Sequence, residues 1–144
     1  MRLTAPTAVI SAISAVIALA APAHADRVVD DYTGFASPSM NIGCMIAPSS
    51  ARCDIQQRDW SPPPRPENCP SFTGYGQGLI VTPGKPAQVV CAGDTAYNQN
   101  SILGYGESIT AGVLRCTSAE SGVTCRDLQS GHGFTISRQA YQLF

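Results

Sequence analysis

The sequence predicts an all-β fold, a small disulfide-stapled antiparallel β-sandwich or barrel of about eight short strands. Three observations predict it. Beyond the first residues, no stretch of about 12 or more shows the apolar spacing of an amphipathic helix. Short runs rich in β-branched and aromatic residues recur between clusters of Pro, Gly, Ser and Asn. Six cysteines, Cys44, Cys53, Cys69, Cys91, Cys116 and Cys125, follow an export-type leader, and four of them form two pairs of C-x8-C spacing.

Residues 1–25 read as a cleavable secretory signal peptide, with a basic start at Arg2, an apolar stretch from Ala8 to Ala21, and Ala23-His24-Ala25 ahead of Asp26. The apolar stretch is broken by Ser11 and Ser14 and falls short of the roughly 20 residues that span a bilayer. An uncleaved anchor is the alternative; after cleavage no membrane span is expected. A lipid anchor needs a cysteine at the new N-terminus, and the first one is Cys44, so none is expected. The remaining 119 of the 144 residues suit one disulfide-rich β domain over 26–144. With Arg2 gone, eight basic residues face ten acidic ones, which gives no field for nucleic acid or anionic lipid. The expected location is secreted or cell-wall associated.

Asp26 to Asp31 is expected to be mobile, and Tyr32 to Phe35 begins the β pattern. Met40 to Gln56 reads as a hairpin turning at Pro48-Ser49. Counting rungs outward from that turn sets Cys44 opposite Cys53. The rung is non-hydrogen-bonded, where facing Cα atoms lie about 4.5 Å apart. A disulfide tolerates roughly 4.4 to 6.8 Å, so this pair can be bridged in place. The same count sets Cys116 opposite Cys125 in the segment from Val113 to Arg126, and elimination joins Cys69 to Cys91. In an exported chain without C-x2-C spacing, disulfides explain these cysteines better than metal ligation. The two hairpins are either related halves of a repeat or the product of similar turn chemistry.

Trp60 introduces Ser61-Pro62-Pro63-Pro64-Arg65-Pro66, whose missing amide donors impose an extended connector. It is either a proline ligand for a partner domain or a rigid crossing on which Trp60 packs. Gly78–Val81 and Ala87–Cys91 flank Pro83-Gly84 as a second kind of hairpin. Gly93 to Asn100 is a polar loop, and Ile102 to Gly106 leads into the second disulfide hairpin. Gly133 to Ser137 alternates as a strand does. Ser137 to Phe144 is a short helix or a docked tail.

No residue set stands out as catalytic. His132 is the sole histidine after the leader, which rules out a multi-histidine metal site and leaves it the only histidine base available to a serine such as Ser130 or Ser137. An ordinary turn histidine between Gly131 and Gly133 is the plainer reading. No G-x-S-x-G element occurs. Gly74 to Gly78 lacks the lysine of a phosphate-cradling loop, and the carboxylates are scattered. No cofactor and no metal is expected. His132, Trp60 and Arg138 are the candidate surface site residues.

Phe35-Ala36-Ser37-Pro38-Ser39-Met40-Asn41-Ile42-Gly43-Cys44, Arg52-Cys53-Asp54-Ile55, Trp60, Cys91-Ala92-Gly93-Asp94-Thr95, Leu103-Gly104-Tyr105-Gly106 and Gly131-His132-Gly133-Phe134-Thr135-Ile136-Ser137-Arg138 form a pattern. It resembles a family of small exported actinobacterial proteins, common in mycobacteria and their relatives, that carry a cysteine-rich domain of unknown function. The resemblance runs from Phe35 to Phe144. It implies an exported actinobacterial protein with one disulfide-bearing domain, and it brings no catalytic residues with it. The expected role is a binding or interaction module of the cell envelope or extracellular space, with an unknown partner there. A structural envelope component without a discrete ligand and a small secreted hydrolase using His132 are the alternatives.

Overall fold

The computed structural model describes Arg2 and residues 25–144, so the signal-peptide reading falls on residues that lie almost entirely outside those described. Eleven strands and no helix make up the described chain. Five form one sheet in chain order: β2 (Thr33–Ala36), β3 (Ile42–Ala47), β4 (Ser50–Ile55), β5 (Tyr75–Val81) and β6 (Gln88–Cys91). The other sheet orders β1 (Asp26–Val28), β7 (Ser108–Ala111), β8 (Leu114–Ala119), β9 (Gly122–Asp127), β10 (Gly133–Ile136) and β11 (Tyr141–Leu143). All pairings are antiparallel except β1 with β7.

The two disulfide hairpins have the register that rung counting gives. Ala47 faces Ser50 and Cys44 faces Cys53; Ala119 faces Gly122 and Cys116 faces Cys125. Both bridged rungs hold their Cα atoms 4.1 Å apart, while Cys69 and Cys91 join over 5.9 Å. Asp26–Val28, expected to be mobile, is instead a strand, fixed by β7 alongside it. The end of the chain docks as β11 on β10, the tail alternative rather than the helix. Between Ile102 and Gly106 only a bridge from Ile102 to Ala36 forms, and the strand begins later, at Ser108.

The sheets stack as a sandwich because each carries one continuous apolar face. Phe35, Cys44, Cys53 and Leu79 are successive partners across β2 to β5, and Ile109, Cys116, Cys125 and Phe134 across β7 to β10. All eight side chains are sealed from solvent. At the centre the two bridges touch, Cys53 Sγ lying 3.7 Å from Cys125 Sγ.

The outer faces differ. Residues 94–98 lie across the first sheet: Asn98 Nδ2 donates to the Cys44 carbonyl (2.8 Å), and the Tyr97 hydroxyl donates to the Met40 carbonyl (2.8 Å). Gly43 permits this, since a Cβ there would sit 2.7 Å from the Tyr97 Cα and the Asn98 nitrogen. Beneath the loop, Arg52 forms a two-pronged pair with Asp54 (2.9 and 2.8 Å) and reaches Asp94 at 2.7 Å. The Asp54 carboxylate also accepts from the Thr95 hydroxyl and the Ala96 amide. Burial opposes the charge on Arg52, and the hydrogen bonds it donates to both carboxylates, with their charges, outweigh it, so its pKa is raised. The Arg52 hydrogen bond and charge hold Asp94 below the ordinary carboxylate range.

Candidate functional site

Short loops from both sheets meet at one end of the sandwich around a polar cleft of about 310 Å³. Its walls include Asn41 after the β2–β3 turn, Gln57 beyond β4, Tyr105 ahead of β7, Glu120 in the β8–β9 turn, and Arg138 in the β10–β11 turn. Asn41 and Gln57 lock two walls together: Asn41 Nδ2 donates to the Gln57 carbonyl (2.9 Å) and Asn41 Oδ1 accepts from the Gln57 amide (2.8 Å). A third wall is tied down by the Gly106 amide, which donates to the Ser118 carbonyl at 2.7 Å. Tyr105 stays 47% exposed on this framework.

Arg138 supplies the cation. Its Nε lies 3.6 Å from Asp59 Oδ1, and both side chains are more than half exposed. An ion pair this wet is held weakly and is free to exchange for a ligand. The opposite charge on the rim is Glu120, so the cleft suits a neutral or dipolar polar group. Met40, in the same loop as Asn41, has φ 61°, the only left-handed non-glycine conformation among the described residues. Such a conformation costs of order 1 to 3 kcal/mol and persists where the surroundings impose it. Here the Tyr97 hydroxyl holds the Met40 carbonyl.

Trp60 is structural. Its indole N–H donates to the Ser137 carbonyl (2.8 Å), its ring tilts against Tyr141 (4.6 Å), and the Arg58 guanidinium covers it (4.5 Å). It thereby fixes the backbone turn that presents Arg138. The proline connector beyond it is also pinned: Arg65 stacks on Tyr75 and donates to the Pro70 and Thr73 carbonyls. Pro63, Pro64, Tyr75, Val89 and Leu143 border a second, more apolar cleft of about 480 Å³ beside the Cys69–Cys91 bridge.

His132 stands apart from these clefts. Its amide donates to Ser130 Oγ (3.3 Å), while the Ser130 hydroxyl donates to Asp127 (2.7 Å) and the Ser137 hydroxyl to the Ala140 carbonyl (3.0 Å). Both serines considered as its nucleophile therefore give their protons elsewhere. Asp127 is buried and organises this turn, accepting from the Gly84, Gln129 and Ser130 amides as well. Those donors, the Gly84 amide foremost, hold its carboxyl well below the usual range. Since Gly84 lies between β5 and β6, this one carboxylate ties a turn of each sheet together.

Among the described residues no group of three His, Cys, Asp or Glu side chains is placed to hold a metal, and no helix is long and apolar enough to cross a membrane. Of the three surface candidates read from the sequence, Arg138 lies in the end cleft, Trp60 supports it from behind, and His132 does neither. Asn41, Gln57 and Glu120 escaped the sequence reading because their chain separations carry no local pattern. Tyr105 lies between two glycines, but so does Tyr75, so that setting did not single out the cleft.

No curated protein and no solved structure matches the chain. A family model covers residues 11–144, which take in the whole sandwich. The chain belongs to a family of unknown function, DUF6636.

Proposed function

We propose that this chain is an exported actinobacterial binding module, secreted or held in the cell wall after loss of residues 1–25, and that the end cleft receives its partner. The carrying observation is the cleft itself: polar side chains from both sheets converge on it, and the loop that supplies Asn41 also holds the strained Met40. The three disulfides support folding in an oxidising compartment. The pattern of the leader supports export, and β1 begins at Asp26, the first residue after the expected cleavage site.

The test is crosslinked capture from envelope extract with the oxidised domain, beside Arg138→Glu and Tyr105→Ala variants. A saturable partner retained by the wild type and lost by both variants supports the reading. No saturable partner, or equal retention by the variants, overturns it. The mass of the exported protein tests the cleavage: a chain beginning at Asp26 is expected, and one retaining residues 1–25 refutes it.

A further inference from the structure

Among the described residues no loop crosses the outer face of the second sheet as residues 94–98 cross the first, and that face carries a row of hydroxyls. Ser108, Thr117, Thr124 and Thr135 are successive cross-strand partners on β7, β8, β9 and β10. Ser108 Oγ lies 2.9 Å from Thr117 Oγ1, and Thr124 Oγ1 lies 3.0 Å from Thr135 Oγ1. Within each pair one hydroxyl donates to the other, and the acceptor keeps its own proton to offer elsewhere.

The adjacent rung sets Arg115 directly opposite Arg126. Like charges facing each other on an antiparallel pair are destabilising, so this rung works against the free protein. Neutralisation is meagre. Arg115 has Asp26 at 3.5 Å, with both side chains well exposed, and Arg126 pairs with no carboxylate among the described residues, resting instead on the Phe144 ring at 4.9 Å. The contrast is Arg52 on the outer face of the first sheet, which is covered and answered by two carboxylates. Ser108, Arg115, Thr117, Thr124, Arg126 and Leu128 border a cleft of about 420 Å³ that shares no lining residue with the end cleft. On a chain of formal net charge −1, this concentration of positive charge is local.

We propose that this face is a binding site for a phosphate monoester of monosaccharide size, with the phosphoryl group on Arg115, Arg126 and the free hydroxyl protons. In the free chain the two guanidinium groups lean apart, Arg115 towards Asp26 and Arg126 over Phe144, and both side chains have room to swing in above the hydroxyl row. A phosphoryl group, with three terminal oxygens, engages two guanidiniums and the hydroxyls together better than a planar carboxylate does. The anion also removes the Arg115–Arg126 repulsion, so its binding stabilises the folded chain. Leu128, 54% exposed, gives the organic part an apolar wall. This inference is independent of the end cleft.

The experiment titrates the oxidised chain with glucose 6-phosphate, glucose and glucuronate, following amide shifts by NMR and the melting temperature. Glucose 6-phosphate is expected to move the amides of Ser108, Arg115, Thr117, Thr124 and Arg126 saturably and to raise the melting temperature. Glucose is expected to do neither. Arg126→Ala is expected to weaken binding roughly tenfold or more, since a charge-assisted bond is lost, while the variant itself melts no lower than wild type. Arg126→Lys, which keeps the charge and loses the fork, should fall between the two. Absence of a saturable shift at these residues overturns the proposal. So does equal binding of glucuronate, or an unchanged affinity in Arg126→Ala.

Discussion

Removing the two hairpin disulfides singly and together tests how the core is held. Each closes a loop of about 10 residues, for which the loss of unfolded-state entropy amounts to roughly 2.7 kcal/mol. Cys44→Ala with Cys53→Ala, or Cys116→Ala with Cys125→Ala, should therefore destabilise by about 3 kcal/mol, with a further loss from missing sulfur contacts. Those contacts are shared, because Cys53 Sγ and Cys125 Sγ meet at 3.7 Å. Once one bridge is gone, the other has already lost its neighbour, so the fourfold variant should fall short of additivity by about 0.5 kcal/mol or more. The control is Cys69→Ala with Cys91→Ala, worth about 3.4 kcal/mol by the same entropy and additive with either hairpin variant. Urea unfolding reports all of these through Trp60, the sole tryptophan. Additivity of the hairpin pair within about 0.3 kcal/mol would refute the sulfur contact as an energetic link. Single losses below about 1 kcal/mol would refute the entropic account itself.

Arg52→Ala should cost about 3 to 5 kcal/mol in the same urea assay, because it strands the buried Asp54 carboxylate, and Arg52→Lys should recover only part of it. A loss under about 1 kcal/mol would show that the carboxylate finds water instead. Asp127 and Asp94 both have folded-state pKa values below their unfolded ones, near 3.9 for an ordinary aspartate. Their stabilisation is therefore complete above about pH 4 and is lost as pH falls towards their folded values. Asp127→Asn should lower the melting temperature at pH 7 and flatten its fall between about pH 4 and 2; an unchanged acid limb would count against the clamp. Graded reductant should open Cys69–Cys91 first, since Cys91 is exposed while the hairpin cysteines are sealed. Mass mapping that finds a hairpin bridge cleaved first would contradict that order.

Register was legible wherever a two-residue turn fixed it locally, as at Pro48-Ser49, because counting rungs needs nothing from the rest of the chain. The same count that pairs Cys116 with Cys125 also sets Arg115 against Arg126, a signal present in the sequence and easily passed over. The strands β1 and β11 were not legible in this way. Each is three residues long, and Asp26–Val28 exists only because β7, some 80 positions further on, lies beside it. The end cleft was opaque for a related reason. Arg138 and Tyr105 become neighbours through the stacking of two sheets, and no spacing in the chain encodes that. What the cysteines did encode was each hairpin alone; the meeting of their sulfur atoms follows from how the sheets face each other.

The matching apolar rungs, Phe35-Cys44-Cys53-Leu79 and Ile109-Cys116-Cys125-Phe134, make the sandwich two meanders of one design laid face to face. Each meander has one oily side and nothing of its own to close it. The strand β1 crosses from the first half to pair with the second, so the halves are buckled together as well as stacked. A chain cut at the exposed Gln99-Asn100 should therefore yield fragments that stay open alone and assemble only with each other.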